Sequence, residues 1–366
     1  MAPKTQSTLI GQSGRRSTVS LAVAASCVAN ASTQALATQL AGQIARAAVV
    51  FSVDEVIVLD DAVGPGSTAG PSEAAALLVR VLQYLETPQY LRRALVPMHP
   101  DLRCAGALPP LDAPHHLRAD AWDGWREGLV REVREEGGSS YALLDVGLEA
   151  DACVAMARAA ERDASKEKRR KRSSSAGSSP SALPPTLQKG MRVTLRVEDA
   201  PKTVPLREAV PGAASVQAVY PASMSTPMAP RAEQGRAWGY LVRLASSLEE
   251  LFARSSFGDA YDLSIGTSER GVSLESLRGR VESDDAAGAP CSMAYFPAFK
   301  RALVVFGGPS GLEYALDKDP WKSKTSNPGE LFQYYLNTCP HQGSRTIRTE
   351  EAILISLAAL REPLQL

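Results

Sequence analysis

The chain has 366 residues, 44% of them apolar, with 40 Lys+Arg against 40 Asp+Glu. A chain of this length corresponds to about two domains and buries about three quarters of its unfolded surface, which excludes disorder throughout. The charge balance removes the simplest argument for a polyanionic partner, which is a basic chain.

The five cysteines, Cys27, Cys104, Cys153, Cys291 and Cys339, are odd in number and never form a C-x-x-C pair. Neither a disulfide framework nor a metal site is expected, and a reducing compartment fits this usage. The opening MAPKTQSTLIGQSGRRS lacks the apolar run of a signal peptide, and later apolar stretches fall far short of a membrane span. The expectation is an intracellular protein with no membrane partner.

TVSLAVA from Thr18 reads as a strand, with Asn30 and Ser32 as helix-start residues before a helical pattern over 33–50. Leu36, Leu40, Ile44 and Ala47 share one face of that helix, and VIVL from Val56 reads as a buried strand. This βαβ opening implies a parallel sheet covered by helices. GPGSTAGP from Gly64 is a loop, and a helical stripe of Leu77, Val81 and Leu85 follows.

Between Trp125 and Trp238 the texture changes to short alternating runs, YALLDVGL, MRVTLRV and VQAVY, which predict a small antiparallel unit. Within it, residues 161–185 are charged, then Ser-rich and Pro-rich, and predict disorder. After Gly239 the α/β texture returns, with strands at YDLSI and ALVVF and a final helix over 350–360 capped by Thr349. The predicted layout is a flexible tail (1–16), an α/β domain in two parts (17–124 and 239–366), and a β insert (125–238) between them.

Three glycine-containing loops each follow a strand-like run: GTSERG from Gly266, GGPSGLE from Gly307 and NTCPHQGSRTIR from Asn337. Loops at the carboxyl ends of parallel strands are where α/β proteins bind ligands, and glycine lets backbone groups approach closely. None of the three matches G-x-G-x-x-G or the G-x-x-x-x-G-K-[ST] phosphate loop, which disfavours dinucleotides and nucleoside triphosphates. Singly, each loop is equally consistent with a tight turn.

YDLSIGTSERG, ALVVFGGPSGLE and NTCPHQGSRTIRTEEAILISLAAL closely resemble the C-terminal motifs of SPOUT-class methyltransferases, in their eukaryotic and archaeal branch of RNA methyltransferases. LAGQIARAAVVFSVDEVIVLDD, VLQYLETPQYLRRAL, LPPLDAPHHLR and WREGLV agree with it, leaving mainly the insert and the N-terminal tail unmatched. The resemblance implies a SPOUT α/β fold with a C-terminal trefoil knot, an OB-like insert and a homodimer. It also implies S-adenosylmethionine as cofactor, held by Thr267, Ser268, Gly271, Gly307, Gly308, Gly311, Asn337, Thr338, Gly343, Ser344, Thr346 and Ile347. The implied activity is methylation of a structured RNA such as ribosomal RNA; the competing expectation is a non-catalytic RNA-binding or assembly factor that retains the fold.

Where the methyl acceptor carries a proton, a base must remove it. Glu269 is a candidate for that role and Arg270 a candidate for orienting the acceptor or stabilising its charge; a loop ion pair between the two is the competing reading. Arg345 and Arg348 suit a cofactor carboxylate or an RNA phosphate, and equally the stabilisation of their own loop and helix. The run KEKRRKR, ending in Lys168, Arg169, Arg170, Lys171 and Arg172, reads as an RNA-phosphate patch or a nuclear or nucleolar address, or as a solvated tether. His115 and His116 read as packing or capping residues, and Tyr141, Trp238 and Tyr240 as core aromatics before stacking ones. Divided along the chain, the charge is 9 basic to 10 acidic residues over 1–124, 16 to 13 over 125–230 and 15 to 17 over 231–366, so the positive excess is confined to the insert.

Overall fold

The computed structural model describes residues 15–62, 70–156, 187–197, 202–258, 260–277 and 296–366. Its strands are β1 (Thr18–Ala24), β2 (Glu55–Leu59), β3 (Trp125–Glu136), β4 (Ser139–Asp145), β5 (Asp151–Met156), β6 (Arg192–Val197), β7 (Val204–Pro205), β8 (Ala218–Ser225), β9 (Leu241–Ala245), β10 (Leu263–Ser273), β11 (Arg301–Phe306) and β12 (Tyr334–Asn337). Its helices are α1 (Ser26–Ala29), α2 (Gln34–Val50), α3 (Glu73–Glu86), α4 (Gln89–Leu95), α5 (Leu206–Ala209), α6 (Ala229–Gln234), α7 (Leu248–Ala253), α8 (Gly311–Asp317) and α9 (Thr349–Ala359). The chain divides into two compact units: Arg15–Glu86, Met98–Leu111 and Gly239–Leu366 form one, and Thr87–Pro97 with Asp112–Trp238 belong to the other.

The first unit is built on a six-stranded sheet of order β12-β10-β11-β1-β2-β9, in which each neighbouring pair is parallel. Every residue of β1 and β2 is buried, as expected of near-continuous apolar runs in a parallel sheet covered on both faces. Val19, Leu21, Val23, Val56 and Val58 face one cluster with Ile44, Leu78 and Ile353, whereas Ala22, Ile57, Leu59 and Leu303 face another with Leu248, Leu251 and Leu316. The one carboxylate in β2, Glu55, is wholly buried and accepts from Ser20 Oγ (2.6 Å), Arg243 Nε (3.1 Å) and Tyr261 Oη (3.1 Å).

Several predicted details shift. The N-cap of α2 is Thr33, whose side chain accepts from Leu36 N at 3.2 Å, and not Asn30 or Ser32. The buried face of α2 is Ala37, Ala41, Ile44, Ala45 and Ala48; Leu36 is 38% exposed, because small residues let the helix lie close to its neighbours. Thr349 is the first helical residue of α9, and its cap is Arg348, whose backbone N–H is met by Glu351 Oε2 at 3.0 Å.

β10 extends past the predicted YDLSI. Thr267 and Val272 both oppose Leu336 of β12, so residues 268–271 form a bulge within a strand where the sequence predicts a loop.

The second unit is a sheet of order β5-β4-β3-β6-β8-β7 with an added parallel pairing of β5 to β8. That pairing closes β3, β4, β5, β8 and β6 into a ring. β3 and β5 join the three runs that the alternating pattern predicts. α4 belongs to this unit, with the Tyr90 hydroxyl donating to the Glu127 carbonyl at 2.8 Å, and a Cβ at Gly147 (φ +69°) would collide with the Tyr90 ring. Tyr141 and Trp238 are core residues here, and Tyr240 is a core residue of the first unit. His115 is also fully buried, its ring 4.3 Å from that of His116.

Candidate active site

The carboxyl ends of β10, β11 and β12 converge on a cavity of about 780 Å³ in the first unit, within the ~300–1,000 Å³ usual for small-molecule sites. The β10 bulge contributes Thr267, Ser268, Glu269 and Arg270. The turn after β11 contributes Gly307, Gly308, Pro309, Ser310 and Gly311, and the segment after β12 contributes Asn337, Thr338, Thr346, Ile347 and Arg348. Leu36 and Leu40 of α2 add apolar wall, which accounts for the position of Leu36 outside the core.

The loops are fastened by their own side chains. Thr267 Oγ1 donates to the Val305 carbonyl at 3.0 Å, and Thr349 Oγ1 donates to the Gly307 carbonyl at 3.1 Å. Thr338 and Ser356 share a hydrogen bond of 2.7 Å. Asn337 Nδ2 donates to the Glu269 carbonyl, and its Oδ1 accepts from Cys339 N, both at 3.0 Å. The Asn337 amide is thus a strut between the bulge and the β12 loop.

Glycine is required here by close backbone approach. A Cβ at Gly307 would sit 2.6 Å from Gly311 C and 2.7 Å from Leu312 N. A Cβ at Gly308 would collide with Ser26 Oγ, itself held by Asp61, whose Oδ1 accepts from Ser26 N at 2.9 Å. Gly311 has φ +75° and donates its N–H to the Gly308 carbonyl at 2.9 Å.

Not every predicted residue reaches the cavity. Gly271, the last residue of the bulge, does not line the pocket; a Cβ there would collide with the Leu336 and Asn337 backbone. Gly343, Ser344 and Arg345 lie on an exposed stretch away from the lining. Glu269 and Arg270 do not pair with each other: Arg270 Nη1 donates to Glu313 Oε1 of α8 at 2.8 Å. Lys168, Arg169, Arg170, Lys171 and Arg172 lie outside the described residues, as does the whole of the 161–185 segment.

Sequence reasoning missed Ser26, Cys27, Asp61, Glu313 and Glu350. Glu350 is 8% exposed in the first turn of α9, where a carboxylate suits the helix dipole, and it lines the cavity. Burial, with Asp61 and Glu350 adding to it, pushes the Cys27 thiol up to about 12. The usable signal was position: Asp61 lies two residues past the end of β2, and Ser26 two residues past the end of β1.

A family model described as "Putative RNA methyltransferase" matches residues 18–360. The chain belongs to this RNA methyltransferase family. The match spans both units and every segment that builds the cavity. Relatives named 28S rRNA (uridine-N(3))-methyltransferase include a mouse protein, 40% identical over 95% of this chain and 77% of its own length, and a human one, 40% identical over 95% and 79%. A Drosophila melanogaster protein of the same name is 38% identical over 95% of this chain and 63% of its own.

An RNA methyltransferase requires a methyl donor, and the cavity fits one of nucleoside size: it offers bare glycine backbone, apolar walls and the buried Glu350 carboxylate toward a cation. Among the described residues, no group of three or more His, Cys, Asp or Glu converges as a metal site, and no helix is long and apolar enough to cross a membrane.

Proposed function

We propose that this RNA methyltransferase transfers the methyl group of S-adenosylmethionine to N3 of a uridine in ribosomal RNA. The observation that carries the reading is the glycine-lined cavity at the strand ends, in a chain closely related to proteins that bear that activity in their names. The cofactor would be held by the backbone of Gly307, Gly308 and Gly311 and by Thr267, Ser268, Thr338, Thr346 and Ile347. Bound there, it supplies an electrophilic methyl group on a sulfonium.

The protein's share of the work is positioning and charge. Arg270, at the mouth of the cavity, stabilises negative charge on the acceptor base, and Arg348 suits an RNA phosphate. Arg345, outside the lining, extends the same role along the exposed stretch. Gly271, Gly343 and Ser344 act on the shape of their loops, with Asn337 as the strut.

The finer architecture belongs to the same proposal. A SPOUT fold with a C-terminal knot is supported by the path of the chain, which runs from β11 to the edge strand β12 and returns as α9 to pack on α2 and β11. An OB-like second unit is supported by the five-strand closure and its parallel β5–β8 pair. A homodimer is supported by Leu354 on α9 and Leu36 on α2, 41% and 38% exposed. A nuclear or nucleolar location follows from a ribosomal RNA substrate.

The test is to incubate the protein with S-adenosylmethionine and a large-subunit ribosomal RNA transcript, then digest and identify nucleosides by mass spectrometry. 3-Methyluridine at a single position is the expected product. Its absence, with no heat of cofactor binding in a calorimetric titration, would return the non-catalytic RNA-binding reading.

A further inference from the structure

The uridine reading leaves a chemical requirement unmet. In neutral uracil, N3 carries a proton and its electron pair is delocalised into two carbonyls, so N3 becomes a nucleophile only when the N3–H bond breaks.

Three carboxylates line the cavity: Glu269, Glu313 and Glu350. Glu350 is 8% exposed and set in the first turn of α9. The Glu269 side chain is exposed, and no hydrogen bond or ion pair orients its carboxylate among the described residues. Glu313 is both oriented and open. Its Oε1 is held by Arg270 Nη1 at 2.8 Å, and its side chain is 33% exposed. Its Oε2 has no hydrogen-bond partner among the described residues and lies over Gly311, where any Cβ would collide with it.

We propose that Glu313 is the catalytic residue that accepts the N3 proton of the target uridine, with Arg270 as the cation that changes partner from Glu313 to the uracil anion. The proposal rests on the uridine-N3 reading. The N3–H bond breaks, its proton goes to Glu313 Oε2, and the electron pair stays on the base, shared among N3, O2 and O4. Glu313 becomes neutral as the base becomes anionic, so the charge that Arg270 faces is conserved. The methyl group arrives along the direction the proton has vacated, so proton transfer precedes methyl transfer. The N3 pair then forms the N–C bond as the C–S bond of the sulfonium donor breaks, leaving a neutral thioether, and the Glu313 proton returns to water.

The arrangement also selects the base. Cytosine has no N3 proton to give and would present its unshared N3 pair to a carboxylate.

The groups facing Glu313 from neighbouring elements are Arg270 of β10 and Tyr335 of β12, whose hydroxyl is kept protonated chiefly by burial. On its own helix the neighbours are Tyr314 and Asp317, with Lys318 just past its end.

The test uses the full chain with S-adenosylmethionine and the ribosomal RNA transcript, measuring single-turnover rates from about pH 6 to about pH 9.5. Glu313→Gln keeps an acceptor for Arg270 and removes the base. The expected result is a loss of at least about 100-fold near pH 7. The variant's rate should then rise about tenfold per pH unit as solvent takes over the deprotonation, with calorimetric cofactor affinity within about twofold of wild type. A Glu313→Gln rate within about threefold of wild type, or a loss of the same size at every pH, overturns the proposal, as does the pH-dependent deficit appearing in Glu269→Gln instead. A wild-type protein that makes no 3-methyluridine removes the uridine reading itself, which separates the two failures.

Discussion

The Thr349 hydroxyl donates to the Gly307 carbonyl at 3.1 Å, joining the first turn of α9 to the turn that follows β11. Two segments far apart in sequence are thereby held at the spacing the cavity needs. Thr349→Val keeps the shape and leaves a partly buried carbonyl without its donor, which is expected to cost about 1–2 kcal/mol. Urea unfolding reports the stability loss, and a calorimetric titration with S-adenosylmethionine reports the expected weakening of cofactor binding. Unchanged values in both would show the bond to be incidental.

Gly307 and Gly343 should respond differently to one added methyl. At Gly307 the new Cβ meets Gly311 and Leu312 backbone atoms at 2.6 and 2.7 Å, whereas at Gly343 nothing lies within 4 Å. Gly307→Ala is expected to destabilise by about 1–3 kcal/mol through overpacking. Gly343→Ala should stay within about 0.5 kcal/mol of wild type, as surface changes usually do. Thermal unfolding of the two variants side by side decides the matter, and equal losses would refute the contrast.

Much of this layout was legible in the sequence because burial leaves a pattern. TVSLAVA, VIVL and ALVVF are near-continuous apolar runs of the kind a covered parallel sheet requires, and the structure places them side by side. The bulge at 268–271 was not legible, since Gly266, Ser268 and Gly271 read locally as a turn and only long-range pairing with β12 makes them part of a strand. Glu313 was hidden for a related reason. In the sequence it is an ordinary acidic residue at the end of the GGPSGLE loop, and its partner Arg270 lies 43 positions away. The glycine loops could be named from the resemblance, but which of their residues face the cavity depends on how β12 and α9 return, and this leaves Gly343, Ser344 and Arg345 outside it.

In the second unit, stability is expected to hinge on Glu127. Its carboxylate is 3% exposed and accepts from Trp238 Nε1 and Thr194 Oγ1 at 2.6 Å and from Arg192 Nε at 2.7 Å. Glu127→Ala strands a partly buried guanidinium and two buried donors, for an expected loss of about 3–5 kcal/mol. Glu127→Gln retains the shape and one acceptor and should lose less. Tryptophan fluorescence during urea unfolding follows the change, and a Glu127→Ala midpoint equal to wild type would show that the network contributes nothing.

Alkaline stability should depend on Cys27. Its thiol is pushed from an ordinary 9.0 to about 12, chiefly by burial and further by the Asp61 and Glu350 carboxylates. The folded state therefore holds this proton where the unfolded chain releases it. Above pH 9.0 the unfolded state gains the ionised form first, so the contribution is complete below that value and is lost between pH 9.0 and about 12. The slope contributed by this one group is at most about 1.4 kcal/mol per pH unit. Comparing wild type with Cys27→Ala cancels the other titrating groups: the stability difference between them should be flat up to pH 9.0 and then move against the wild type. Urea unfolding of both proteins across that range measures it, and a difference that stays constant would mean that the Cys27 thiol titrates as it does in water.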